Sequence, residues 1–278
     1  MVLKHSTAKA VFEDRKAVLA RGFTAKNYSI ALHDHDFYEI NIVLSGKGVH
    51  FIEDKNFRAV PGDVFVIPPM VTHGYTGDSG GFDVYHLILR QEFFEKYSFE
   101  ISHFDGFSLL FEIEPYLRIR NNRSFLHLEY DELGDLIPIL RYISALAESK
   151  SDCADVLRNV WALSVIGSLS RRIGCSTSRN DNRDDAFVAI SSSLEYIHSN
   201  LSEKLTVERL SVLSNMSRST FLRKFFEICN TTPSKYITQK RITKAKELIS
   251  RGYSKTFVAQ ECGFYDLSHM EKCIKSID

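Results

Sequence analysis

Apolar residues recur with two different periods along this chain, and the change of period divides it. From about residue 22 to residue 90, Val, Ile, Phe and Tyr come in short runs broken by turns, as in "YEINIVLSGKGVHFIEDKNFRAVPGDVFVIPP". Short strands reversing at Gly46-Lys47-Gly48, Asp54-Lys55-Asn56 and Pro61-Gly62-Asp63 predict an antiparallel sandwich or barrel. From about 129 to 173 the spacing becomes helical, in "LEYDELGDLIPILRYISALAES" and "ADVLRNVWALSVIGSLSRRI". Two such helices can clad the barrel or pair with a second subunit. "GCSTSRNDNRDD", Gly174–Asp185, is polar and without apolar period, which predicts a linker. The expected organisation is α+β: a β-barrel domain over 1–128, a helical dimerisation or cladding segment over 129–174, a linker over 175–185, and an all-α domain over 186–278.

The all-α part contains a weak repeat. "LTVERLSVLSNMSRSTFLRKFFEI" starts at Leu205 and "YSKTFVAQECGFYDLSHMEKCIKSI" at Tyr253. Each has a capping hydroxyl (Thr206, Ser254), a short helix and a residue suited to positive φ (Asn215, Gly263). A second cap (Ser217, Asp266) and a second helix follow. Short helices joined by a tight turn, occurring twice, predict two helix-turn-helix units. In such a unit the second helix enters the major groove. In the first, over Arg218–Glu227, Phe221, Phe225 and Ile228 form the buried face. Ser219, Leu222 and Arg223 then face base edges, and Arg218, Thr220 and Lys224 meet phosphates. In the second, over Leu267–Lys275, Met270 and Ile274 point inward and Leu267, Ser268, His269 and Lys272 outward. Between them "PSKYITQKRITKAKELISRG" reads as a helix of eighteen residues that starts at Pro233, with Gly252 ending the run. Eighteen residues at about 1.5 Å each give a rod of about 27 Å. With its flanking helices it can set two reading helices about 34 Å apart, one turn of DNA.

Charge supports that division. The net charge is zero, but Ala186–Asp278 carries 14 Lys and Arg against 9 Asp and Glu, leaving the preceding part net acidic. A basic third behind an acidic remainder suits a polyanionic partner. No apolar run reaches the roughly eighteen residues of a membrane span, and the start of the chain lacks a secretory apolar core. Five cysteines, Cys153, Cys175, Cys229, Cys262 and Cys273, form no CxxC pair, which predicts reduced thiols and a cytoplasmic protein.

"HDHDFYEINIVLSG" sets His33 and His35 on one face of a strand with Glu39 nearby, and "PGDVFVIPPMVTH" brings in His73. Phe37, Tyr38, Phe65 and Tyr85 are candidate walls of a pocket there.

The stretch from Leu205 to Ile249, with "VAQECGFYDLSHMEKCIK", resembles the DNA-binding domain of the AraC/XylS family of bacterial transcription regulators over roughly Ala186–Lys275. The resemblance implies double-stranded DNA as partner, bound by both units in successive major grooves through the outward residues named above. Family members continue about a dozen residues further into a closing helix, so the second unit is expected to lack packing partners for Met270 and Ile274. The histidine pattern resembles the cupin barrel, with Met70 where a glycine is usual and Gly77 where an asparagine is. In metal-binding cupins His33, His35, Glu39 and His73 would be ligands, a set suited to a divalent transition metal. Without metal the same groups can hydrogen-bond a small molecule. The run is similar to that of sugar-responsive members, which implies a sugar or other small polar effector. The expectation is thus a ligand-responsive DNA-binding regulator and no enzyme, working as a homodimer, and with RNA polymerase if an activator. Two alternatives stand beside it: a metal-dependent cupin oxygenase or isomerase, and a regulator with a short second unit acting through a full-length partner.

Overall fold

The computed structural model describes residues 4–12, 16–25, 29–121, 126–147, 149, 151–179, 185–229 and 231–276. They form two compact units, Met1–Gly174 and Cys175–Asp278.

The first unit is a rolled sheet built on two long strands. Its strands are β1 (Lys4–Ser6), β2 (Val18–Ala25), β3 (Ser29–His35), β4 (Tyr38–Ile52), β5 (Lys55–Ala59), β6 (Val64–Ile67) and β7 (His73–Leu89), with a helical turn α1 (Ala8–Val11) after β1. β4 and β7 run antiparallel from the Tyr38–Leu89 pair to the Ile52–His73 pair. β2 and β6 flank one half of this ribbon, and β3 and β5 flank the other. β1 adds to β3 in parallel, so the sheet is not wholly antiparallel.

The two long strands correct the expected turn at Gly46–Gly48. There the ladder slips between Val43 and Ser45 and again between Gly46 and Gly48, without reversing the chain. Gly46 has φ +77°, and a Cβ on it would lie 1.9 Å from the Gly81 carbonyl oxygen. A glycine at positive φ marks a bulge as readily as a hairpin turn, and a bulge bends a strand where a turn would end it. The bend lets both halves of the ribbon face one interior. Val43, Ile52, Phe57, Phe65, Ile67 and Val84 pack there into an apolar core.

Helices α2 (Gln91–Lys96) and α3 (Ser98–Ser102), a π-helical turn (Leu109–Ile113) and α4 (Glu114–Asn121) follow the sheet. α5 (Tyr130–Leu146) opens with a capping box between Glu129 and Glu132. It lies against β2, where the Ser144 hydroxyl donates to the Ala20 carbonyl at 2.7 Å. The Tyr85 hydroxyl donates to the Leu140 carbonyl at 3.1 Å, so Tyr85 binds α5 to the outside of the sheet and is no pocket wall. Tyr38 packs on Phe94 and Phe111, also outside the pocket. α6 (Asp152–Arg179) is tied to α5 by Arg172 and Glu132 at 2.8 Å. It continues through Gly174 to Arg179, into the polar stretch expected as linker. That stretch contains no proline, and a lone glycine costs a helix only about 1 kcal/mol. Residues 180–184 lie outside the described residues.

The second unit is helical throughout: α7 (Asp185–Ser199), α8 (Val207–Leu213), α9 (Arg218–Cys229), α10 (Pro233–Ser250), α11 (Lys255–Glu261) and α12 (Leu267–Lys275). The caps sit where the sequence places them. Thr206, Ser254 and Asp266 accept from the backbone N–H of Arg209, Phe257 and His269, and Ser217 accepts from that of Thr220. Asn215 and Gly263 take φ +50° and +72°. Phe221 and Phe225 are fully buried, and Phe225 meets Tyr236 of α10 edge-on. Met270 does find partners: it is fully buried among Ile242, Ala245, Val258 and Phe264, with Ile274 packed against the same cluster. The connecting helix α10 supplies the surface expected to be missing. α10 is also clamped at mid-length, where Arg241 donates from Nε to the Leu201 carbonyl (3.0 Å) and from Nη2 to that of Glu203 (2.7 Å).

Candidate nucleic-acid interface and effector pocket

Of the ten outward residues expected on the two reading helices, six are exposed: Arg218, Ser219 and Arg223 on α9, and Ser268, His269 and Lys272 on α12. Thr220, Leu222 and Lys224 are half-buried. Leu267 is the exception, since it packs against the Met270 cluster and turns partly away from a base edge. It is the first residue of its helix, and the neighbouring apolar surface draws it inward.

The exposed cations are held by acids that the sequence reading passed over. Arg223 Nη1 donates to Glu227 Oε1 at 2.8 Å, one helical turn away, and Lys224 Nζ stands 3.4 Å from the other oxygen. These bonds hold the Glu227 carboxyl below its ordinary value. Arg218 Nε is 3.1 Å from Glu208 of α8. A long arginine tied within its own unit is already directed along the helix face before any nucleic acid arrives.

In the first unit, β3, β4 and β7 bring the predicted pocket residues together. His33 pairs with His73 across β3 and β7, their rings 4.3 Å apart. Glu39 lies next to them on β4, its Oε2 3.1 Å from His35 Nε2 and 3.6 Å from His73 Nε2. Its Oε1 accepts from Nδ1 of His86, a β7 residue absent from the expected set. His35 stacks flat on Phe37, ring centroids 4.2 Å apart, so Phe37 is a wall as expected. A cavity of about 140 Å³ opens beside them, reached also by Ser6, Arg21 and Tyr75. That volume is near that of an engineered cavity which holds one benzene ring.

Burial alone would raise the Glu39 carboxyl. The charge of His86 and the bonds from His35, His73 and His86 pull harder, and hold it well below the usual carboxylate range. Burial lowers His73 against the pull of Glu39, and lowers His50 well below its ordinary value with help from His73 and Arg118. The interior thus pairs an ionised carboxylate with two imidazoles, His50 and His73, whose charged form burial disfavours. Behind them, Asn41, His50 and the Tyr75 hydroxyl are buried without a hydrogen-bond partner among the described residues. Such groups are costly unless something bonds to them. None of these was marked by sequence, because their meeting depends on the register of β4 against β7.

The donor set fits a metal ion. Nδ1 of His33, His35 and His73 faces the backbone carbonyl of Ala31 (3.0 Å), Phe37 (2.8 Å) and Val71 (3.4 Å). A carbonyl only accepts, so each Nδ1 carries the proton; Nε2 then donates to Glu39 where the ring is protonated and is a lone pair open to a cation where it is neutral. Lone pairs of His35 and His73 turned on a carboxylate oxygen need a cation or donated protons between them. Ligands about 2.1 Å from one metal stand about 3.0–3.4 Å apart, close to the two Glu39 distances. Donor atoms of His33, Glu39 and His73 all lie within 4.8 Å of one another; His35, with Nε2 3.1 Å from Glu39 Oε2, falls outside that group.

Two family models match the chain: an AraC-like ligand binding domain over residues 17–146 and a helix-turn-helix domain over 210–277. Full-length relatives are similar across most of the chain. The HTH-type transcriptional activator RhaS of Pectobacterium carotovorum subsp. carotovorum (strain PC1) is 22% identical over 85% of this chain and 80% of its own. The uncharacterized HTH-type transcriptional regulator YbfI of Bacillus subtilis (strain 168) is 26% identical over 86% and 80%. Among solved structures, ToxT from Vibrio cholerae aligns over 94% of both chains at 14% identity, with a TM-score of 0.34. Relatives named as transcription regulators over 85% and 86% of the chain remove the enzyme alternative, and no described helix is long and apolar enough to cross a membrane. The sheet unit with its buried carboxylate is an effector domain, the helical unit a DNA-binding one, and the chain belongs to the AraC family of transcription regulators.

Proposed function

We propose that this regulator reads DNA through α9 and α12 and is switched by a small, neutral, hydroxyl-rich metabolite, a sugar or related polyol, in the sheet interior. The observation that carries the DNA part is the paired exposure of Arg218, Ser219 and Arg223 on one capped helix and Ser268, His269 and Lys272 on the other, both packed on α10. Arg223 is the base reader and Lys224 and Arg218 the phosphate contacts of the first half-site. His269 and Lys272 are the readers of the second. Exposed Tyr142, Val156 and Val160 on α5 and α6 support a homodimer surface there. Work on DNA supports a cytoplasmic location, and relatives named as activators support a contact with RNA polymerase.

The buried, ionised Glu39 supports the effector class: an anionic ligand would meet like charge in a low-dielectric interior, whereas hydroxyls can donate to Glu39 and to the Nε2 lone pairs. For such a ligand to act as a switch it must bind two arrangements of the protein unequally. A second reading is favoured by the Nδ1-to-carbonyl bonds: a divalent transition metal held by His33, Glu39 and His73, with His35 beside them. Such an ion supplies a Lewis-acid anchor for an effector oxygen.

Fluorescence anisotropy on promoter DNA over a salt series, repeated with a panel of neutral sugars and of fatty and aromatic acids, tests the proposal. Affinity falling steeply with salt and shifted only by neutral polyols is the expected outcome. A shift produced only by the acids refutes the effector class, and salt-independent affinity refutes the DNA contacts.

A further inference from the structure

We propose that His86 is the positioning residue of a divalent-metal site made by His33, Glu39 and His73, fixing Glu39 so that a single oxygen faces the imidazoles. This rests on the metal reading above. Glu39 sits at the centre of the group, and the two oxygens of its carboxylate have different neighbours. Oε2 looks toward Nε2 of His35 and His73, while Oε1 is taken by Nδ1 of His86. The two side chains are 93% and 96% buried, so water does not compete for this bond. They reach each other because Asn41, two residues along β4 from Glu39, is the cross-strand partner of His86. The His86 ring is further held by Tyr75, edge-on at 5.7 Å.

The bond does two things for a cation. A carboxylate with both oxygens unengaged can rotate and take a metal through either or both. With Oε1 occupied, Oε2 alone is presented, 3.6 Å from His73 Nε2. The bond also satisfies the second oxygen of a buried carboxylate, so that neither oxygen lacks a partner once an ion is held by the first. His86 therefore acts on the ion through Glu39, the role that outer-shell partners of ligating groups perform elsewhere.

The test uses the full chain, stripped with EDTA and titrated with Co2+ alone, read by the d–d absorption bands and by calorimetry. Two variants of similar bulk separate the hydrogen bond from packing. His86→Gln keeps an N–H donor, and His86→Met does not. The parent is expected to bind one Co2+ per chain. His86→Met should bind about 10–100-fold more weakly with the same band positions, and His86→Gln should recover most of that loss. Circular dichroism confirms that both variants fold; if His86→Met does not, His86→Asn against His86→Leu repeats the comparison. Equal affinity in parent and His86→Met overturns the positioning role while leaving the metal site standing. Shifted bands in both variants overturn it as well, since His86 would then itself be a ligand. A parent that takes up no Co2+ removes the metal reading and this inference together.

Discussion

Replacing Gly263 by alanine should damage the second helix-turn-helix unit far more than the same change at Gly252, although both glycines have positive φ. Gly252 (φ +88°) has nothing within 4 Å of an added Cβ, so Gly252→Ala carries only the left-handed backbone cost. That is about 1–2 kcal/mol, offset by about 0.4–1 kcal/mol from a stiffer unfolded chain, for a net loss of about 1 kcal/mol. Gly263 (φ +72°) carries the same terms, but its Cβ would stand 2.3 Å from the Leu201 carbonyl oxygen and 2.7 Å from Arg241 Nη2. The carbonyl is backbone and the guanidinium is the clamp that joins α10 to the loop after α7, so neither can yield without breaking an Arg241 bond. A hydrogen bond from a charged donor contributes about 1.5–3 kcal/mol. Arg241 is only about half-buried, so the lower end applies, and Gly263→Ala should lose about 2.5 kcal/mol in all. Urea unfolding of the full chain, followed in the helical signal, gives both numbers on one scale. DNA affinity for the second half-site should fall with Gly263→Ala and hold with Gly252→Ala. Equal losses within about 0.5 kcal/mol would show that the close approach to Leu201 and Arg241 has no energetic weight, and would refute the reasoning.

Three further outcomes are expected. Arg223→Ala should weaken binding to the cognate site by about 1–3 kcal/mol and relax preference at one base position, read by anisotropy on a set of single-base variants; uniform weakening across all sequences would make Arg223 a phosphate contact. Stability should fall on acidification: His50 and His73 are held below the ordinary imidazole value near 6.5 and Glu39 below its carboxylate value, so the unfolded chain binds the extra protons. The histidine part is complete above about pH 6.5 and lost as pH drops below it, the Glu39 part only at still lower pH, and His50→Leu should flatten the melting profile between pH 7.5 and 5.5. Met70 has φ +64° and is 62% exposed; Met70→Gly should remove about 1–2 kcal/mol of strain and return about 0.5–1 kcal/mol as chain entropy, for a small net gain in thermal stability.

What the sequence disclosed follows from which signals are local. The limits of α10 and α12 were legible to the residue because Pro233, Gly252 and Asp266 act within a few positions of themselves. Thr206, Ser217, Ser254 and the positive-φ residues Asn215 and Gly263 marked the two units for the same reason. His33, His35, Glu39 and His73 were legible through a spacing pattern. His86, Asn41, His50 and Tyr75 were not, because they meet through pairings between residues 25 to 45 positions apart. Tyr85 shows the same limit in reverse: its alternation places it on a strand, but only the position of α5 decides which side is the pocket. Gly46 was misread because one backbone conformation serves both a reversal and a bend. Leu267 was misread because a helix's first residue has no preceding turn to fix its face.

The two reading helices begin on different chemistry. α9 starts behind a serine hydroxyl, whereas α12 starts behind the carboxylate of Asp266, whose Oδ1 accepts from His269 N–H at 2.7 Å. A neutral cap leaves the positive helix end open to a DNA strand; an anionic cap cancels that end and repels one. On the reading proposed above, the half-site under α9 would be gripped more by charge and the one under α12 more by fit. Rising ionic strength should loosen the first contact sooner than the second, so the salt concentration at which the regulator works helps decide which end of its site it holds last.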